Sequence, residues 1–148
     1  MKKLPTRYSN PNHSPGYQLW RVTNIWQRHM RQALKDLDLT HVQFVLLAVT
    51  VKLGELGEPT NQAHIAEAAG MDKMMASQVL RTLEEKQLIT RTADKTDGRA
   101  LLISVTSAGF DLTCQAIYKV EEADQEFFGV LGNEEKTLAL LLNQLVSK

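Results

Sequence analysis

The sequence predicts a mainly α-helical chain with a small β-hairpin wing, a winged helix-turn-helix unit flanked by a separate helical layer. Three observations predict it. Apolar residues recur at steps of three and four along stretches near the two ends of the chain, the period of amphipathic helices. Two shorter helical patterns in the middle are split by a tight turn at Gly70, the arrangement of a helix-turn-helix. Directly after them the period changes to two, in β-prone runs on either side of a polar loop, which reads as a hairpin.

Each element follows from its residues. Residues 1–14 carry Pro5, Pro11 and many polar side chains and are expected to form a flexible, extended arm. Ser14 is a cap and Pro15 suits a first helical position, so a helix is expected over 15–37. Leu19, Val22, Trp26, Met30, Ala33 and Leu37 form its apolar face, with Arg21, Arg28, Arg31 and Lys35 opposite. Thr40 caps a second helix that buries Val42, Val45, Leu46, Val49 and Leu53 and ends at Gly54 or Gly57. Asn61 caps a short helix over 62–69, with Ile65, Ala66 and Ala69 inward. Asp72 caps another over 73–86, with Ala76, Val79, Leu80 and Leu83 inward. Strands are expected at 89–92 and 101–105 around the loop 93–100. Thr106 caps a long helix carrying Leu112, Ala116, Val120, Ala123, Phe127 and Leu131. Gly132-Asn133 breaks it, and Leu138, Leu141, Leu142, Leu145 and Val146 stripe a last helix. Residues 15–148 thus form one domain: a winged helix-turn-helix module at about 40–106 and an outer layer from about 15–37 and 107–147.

Composition narrows the function. The chain has 148 residues and is 43% apolar, which suits one folded domain. No apolar run is long enough for a membrane span, and no apolar run follows the basic N-terminus as in a signal peptide. The one cysteine, Cys114, rules out an internal disulfide and fits a reducing cytoplasm. Net charge is zero, but it is unevenly placed: +5 over residues 1–40, +1 over 71–106 and −4 over 107–148. Phosphate binding depends on local charge, so the zero sum argues only against a nonspecific coat on DNA. No nucleophile–base pair, phosphate-cradling glycine loop or paired-carboxylate motif stands in the sequence, so no enzyme and no cofactor are expected.

A helix that enters the major groove needs one apolar side and one side free for base edges. Lys73, Met74, Ser77, Gln78 and Arg81 fall away from the core stripe of the 73–86 helix. Gln78 suits adenine, Lys73 and Arg81 suit guanine or phosphate, and Met74 suits a thymine methyl, while Met75 is expected to pack. Gln62 and Arg91 are expected on phosphates. In the hairpin loop, Lys95 can lie along the backbone and Arg99 can enter the minor groove, with Asp97 holding the guanidinium and Gly98 giving the tight turn. Double-stranded DNA is the expected partner. The alternative, a winged-helix module that binds another protein, draws its support from the zero net charge.

The run Asp97-Gly98-Arg99-Ala100-Leu101-Leu102-Ile103-Ser104-Val105-Thr106-Ser107-Ala108-Gly109 resembles the signature of the MarR family of bacterial regulators: Asp, one residue, Arg, a strand, then Leu-Thr and a nearby Gly. Val105 stands where Leu is usual. Gln62-Ala63-His64-Ile65-Ala66 is similar to the first helix of the family's DNA-binding unit, and Leu83-Glu84-Glu85-Lys86-Gln87-Leu88-Ile89 to the end of its recognition helix. Gln87 replaces the family's usual helix-ending glycine. The resemblance runs from about Tyr17 to Val146. It implies a homodimer built by the outer helices, a pseudo-palindromic operator, repression, and release by a small aromatic or anionic effector. Trp20, Trp26, His41 and Phe44 are the candidates for that effector's pocket, with core packing or, for His41, a surface position as the competing expectation. The family's peroxide-sensing cysteine lies near the start of helix 1, so Cys114 is expected to be a buried, unreactive thiol. His13, His29, His41 and His64 lack zinc-site spacing, so no metal is expected.

Overall fold

The computed structural model describes residues 1–96, 98 and 100–147; Asp97, Arg99 and Lys148 lie outside the described residues. The order is α1 (Pro15–Leu34), α2 (His41–Glu55), α3 (Gln62–Ala68), α4 (Lys73–Glu85), β1 (Ile89–Ala93), β2 (Leu101–Val105), α5 (Ser107–Phe128) and α6 (Glu134–Val146), with a 3-10 turn at Lys35–Leu37 after α1. Five helices begin on a side chain that accepts an otherwise unpaired backbone N–H: Ser14, Thr40, Asn61, Asp72 and Thr106. At Thr40 the cap is reciprocal, because Gln43 Oε1 accepts the Thr40 N–H in return. The N-terminal arm is less extended than expected. Residues Pro11–His13 form a 3-10 turn, and Asn12 accepts hydrogen bonds from Gln18 and Arg21 of α1.

Three helices end alike. In α2, α3 and α4 the chain turns through a left-handed residue, Gly57, Gly70 and Gln87. At α4 the Leu88 N–H reaches the Leu83 carbonyl at 3.0 Å and the Gln87 N–H reaches Glu84 at 2.9 Å. That is the two-bond Schellman closure. Gln87 therefore adopts the conformation a glycine would, at φ 60. The helix ends where a glycine would have ended it, and the following strand starts in register.

The hairpin pairs Ile89 with Val105 through Ala93 with Leu101. Asp94 N–H bonds the Ala100 carbonyl at 2.9 Å beyond the last pair. The stretch before α3 joins on the other edge, where the Ile103 N–H bonds the Thr60 carbonyl at 2.9 Å. Ile89 and Ile103 point into a core with Leu46, Leu47, Ile65 and Leu80. Met30 and Leu34 of α1 and Ala116 and Val120 of α5 continue that core into the outer layer. The two buried hydroxyls, Thr50 and Thr113, each donate to a carbonyl one turn back at 2.6 Å, which removes the cost of burying them.

One packing expectation changes. α2 buries Phe44, Leu47 and Thr50 beside Leu46 and Leu53, because it lies between α3, α4, α5 and the hairpin and has partners on several sides. The expected Val42, Val45 and Val49 are only half-buried. In α1 the apolar face is covered only toward its end: Leu19 and Val22 are exposed, and α6 buries no residue at all.

α5 enters against the end of α4 with no room to spare. A Cβ at Gly109 would stand 2.1 Å from the Leu88 carbonyl oxygen and 2.8 Å from Val105 Cγ1. Gly109→Ala should therefore cost about 2–3 kcal/mol of stability in chemical unfolding. Gln87→Gly relieves a left-handed residue and should raise the melting temperature by about 2–4 °C. A fall in melting temperature for Gln87→Gly would show that the glutamine is not strained.

Candidate nucleic-acid interface

Helix α4 has a buried side of Ala76, Leu80 and Leu83. Lys73, Met74, Gln78 and Arg81 are exposed on the other side, and Ser77 between them is half-buried. These are the side chains expected to read base edges, and the structure brings them onto one outward face. Met75 joins them in the open at 53% exposure, contrary to the expectation that it packs. It sits in the first turn of α4, on the flank of the core-facing stripe, where the core covers only about half of it. The start of α4 is held by Asp72, whose Oδ1 accepts the Met74 N–H at 2.8 Å. The turn before it runs through Gly70 in a left-handed conformation, with the Met71 N–H on the Ala66 carbonyl. α3 and α4 are thereby set by caps and one glycine, all local features.

Gln62, expected on a phosphate, begins α3 and is half-buried. Arg91 is not a free cation. Glu84 Oε2 lies 2.9 Å from its buried Nε but off the line of the N–H, so the contact is an ion pair without a directed hydrogen bond. Together the two side chains line an open groove of about 580 Å³ between the end of α4 and the hairpin, with Gln87, Thr90 and Leu101.

Of the hairpin loop, Lys95 and Gly98 are described and both are exposed. Asp97 and Arg99, expected in the minor groove and its support, lie outside the described residues. Asp94, which sequence reasoning passed over as one polar loop residue among several, organises the described part. Its Oδ1 accepts both the backbone N–H and the hydroxyl of Thr96, at 2.9 and 2.8 Å. An Asp two residues before a Thr is the available signal for such a turn, and it is a weak one because the pattern is common.

The effector candidates divide. Trp26, His41 and Phe44 come together where α1, α2 and α5 meet. The Trp26 ring stands edge-on to His41 at 5.0 Å, and His41 stacks toward Phe44 at 6.2 Å. Trp26 Nε1 donates to Asp124 Oδ1 of α5 at 2.8 Å, a partner 98 residues away that sequence reasoning did not find. Trp20 takes no part. It is 69% exposed on the open face of α1, two turns from Trp26 and on a different side of the helix. His41 is half-buried, not a surface histidine, and Cys114 is half-buried where full burial was expected. Among the described residues no three of His, Cys, Asp and Glu converge as metal ligands, and no single helix is long and apolar enough to cross a membrane.

A helix-turn-helix whose second helix shows a polar, cationic outer face beside a β-hairpin defines a winged helix-turn-helix DNA-binding protein. Comparison with known proteins agrees. The model of the MarR family matches residues 39–101. The HTH-type transcriptional regulator YdcH of Bacillus subtilis is 40% identical over 134 residues, which cover 90% of this chain and 91% of YdcH. CouR of Rhodococcus jostii, solved with p-coumaroyl-CoA, is 26% identical with a TM-score of 0.80 over 95% of this chain and 94% of its own. MepR of S. aureus, solved with DNA, is 25% identical with a TM-score of 0.79 over 90% and 97%. The chain belongs to the MarR family of transcriptional regulators. The alternative of a module that binds only protein is not favoured.

Burial lowers the pKa of His41, and the Asp124 carboxylate partly opposes that shift. The folded chain thus prefers the neutral ring more than the unfolded chain does. His41 contributes its stability in full above the ordinary value of 6.5 and loses it as pH falls below that and through the depressed folded value. Thermal unfolding of the wild type and of His41→Gln between about pH 7.5 and 5 should show the wild type losing relative stability as pH falls. A difference that does not change with pH would exclude this role.

Proposed function

We propose that this chain is a homodimeric repressor that binds a pseudo-palindromic operator in the cytoplasm and is released by a small aromatic or anionic effector, with no catalytic activity of its own. The outward face of α4 is the observation that carries the proposal. Lys73, Met74, Ser77, Gln78 and Arg81 read the major groove; Gln62 and Lys95 hold the backbone; Arg99, supported by Asp97, enters the minor groove. Arg91 reaches a phosphate only by exchanging Glu84 for it.

Dimerisation is supported by the apolar surface a lone chain leaves open. Leu19, Trp20 and Val22 on α1 and Leu141, Leu142 and Leu145 on α6 are all exposed. Surface of this kind is expected to be covered. Charge complements it, since the segment with α1 carries +5 and the segment with α5 and α6 carries −4. MepR was solved with DNA and CouR with an aromatic acyl thioester, which supports both ligand classes for a chain of this fold. The junction of Trp26, His41 and Phe44 is the candidate place for an effector, because a molecule wedged there would part α1 from α2.

Selection of bound duplexes from random DNA, followed by titration against salt, tests the proposal. Affinity should fall steeply with salt. Gln78→Ala should change base preference at one position per half-site, by about 1–3 kcal/mol. Arg99→Ala should weaken binding on most sequences and reduce the salt slope by about one per subunit. Leu145→Asp should shift the sedimentation coefficient from dimer toward monomer. Salt-independent binding, or none, would refute the DNA-binding role.

A further inference from the structure

The recognition helix α4 is held very differently at its two ends. Its start, Lys73 to Met75, is exposed and held by the local Asp72 cap, with Ala76 the first residue in the core. Its end is fixed on one side to α5, where Thr106 Oγ1 donates to the Gln87 carbonyl at 2.9 Å and the Thr106 N–H to the Leu88 carbonyl at 3.0 Å. On the other side lies the corner between α1 and α2. A groove of about 220 Å³ separates that corner from the end of α4, lined by Lys35, Asp38, Leu39, Thr40, Gln43 and Lys86.

Lys86, the residue that caps α4, spans this groove. Its ammonium donates to the Asp38 backbone carbonyl and lies 3.6 Å from the Asp38 carboxylate. The carboxylate is fully exposed and contributes little. The carbonyl is the better acceptor, and the backbone presents it because Asp38 turns the chain at φ 50 after the 3-10 turn.

We infer that Lys86 is a positioning residue for DNA recognition: it bridges the groove to the Asp38 carbonyl, so that the tilt of α4 follows the α1–α2 corner. This role rests on the DNA-binding function proposed above. α4 has 13 residues and is about 20 Å long, so a tilt of about 10° about its fixed end moves its start by about 3 Å. That is enough to take Lys73 off hydrogen-bonding distance to a base edge, while Gln78, nearer the fixed end, moves by about 2 Å. The same corner ends α1 and begins α2, with His41 in the first turn, so a shift between those helices reaches α4 through Lys86.

The test uses Lys86→Met, which keeps an apolar stem of similar length and loses the ammonium, with Lys86→Arg as the rescue and Asp38→Asn as a variant that keeps the carbonyl. On a selected duplex, Lys86→Met should lose about three- to tenfold in affinity, with the salt slope unchanged and a melting temperature within about 3 °C of wild type. Lys86→Arg and Asp38→Asn should bind as the wild type does. A salt slope lowered by about one per subunit would instead make Lys86 a phosphate ligand and overturn the inference. So would unchanged affinity, or a loss that Lys86→Arg does not restore. Should the wild type bind no duplex, the DNA-binding proposal fails and hydrogen exchange of the free protein decides on the bridge alone. Faster exchange at amides 83–88 in Lys86→Met, restored in Lys86→Arg, supports it; equal exchange overturns it.

Discussion

The fold turns on one close contact, where the backbone leaving α4 meets the first turn of α5. Leu88 carbonyl oxygen accepts the Thr106 N–H, and only a residue without Cβ can stand at Gly109 beside it. Four elements are joined there: the end of the recognition helix, the start of β1, the end of β2 and the start of the outer layer. Thr106 serves twice, since its hydroxyl accepts the Gly109 N–H that caps α5 and donates to the Gln87 carbonyl. A shift at this corner would move the wing and the recognition helix together, because β1 and β2 both begin or end on it.

This contact also explains how the chain tolerates Gln87. A left-handed glutamine costs about 1 kcal/mol. Against it stand two closing backbone bonds and the Thr106 hydroxyl, which donates to the Gln87 carbonyl. The backbone at the corner is over-determined, so the side chain has to follow. The same logic orders the polar contacts around it. Glu84 holds Arg91 on one side of the corner and Asp38 holds Lys86 on the other, and neither cation of the pair is left as a free phosphate ligand. On α4 itself, Lys73 and Arg81, which precede this corner, face outward.

The junction of α1, α2 and α5 is organised by a different principle, a polar atom satisfied inside an aromatic cluster. Trp26 needs a partner for its N–H once its ring is half-buried, and Asp124 supplies it. The carboxylate so placed also acts on the His41 ring, and burial and charge shift its pKa in opposite directions.

Much of this was legible in the residues, and for a definite reason. Helix starts, the Gly70 turn, both strands and the outward set on α4 depend on caps, periodicity and turn residues, which act over a few positions of the chain. The ends of α3, α4 and both strands fall within a residue of expectation, while α1 and α5 stop three residues early because their last turns tighten to 3-10 geometry. What sequence alone could not decide was every feature that depends on a partner in another element: Asp124 on Trp26, Glu84 on Arg91, Asp38 under Lys86, and the burial of several faces of α2. Nor could it tell which apolar stripes would be covered within one chain, since the first half of the α1 stripe and most of the α6 stripe look like that of α5 and yet stay open. Local hydrogen-bonding chemistry is written in neighbouring letters; the closing of loops that brings Leu88 against Gly109 is decided only when the whole chain packs.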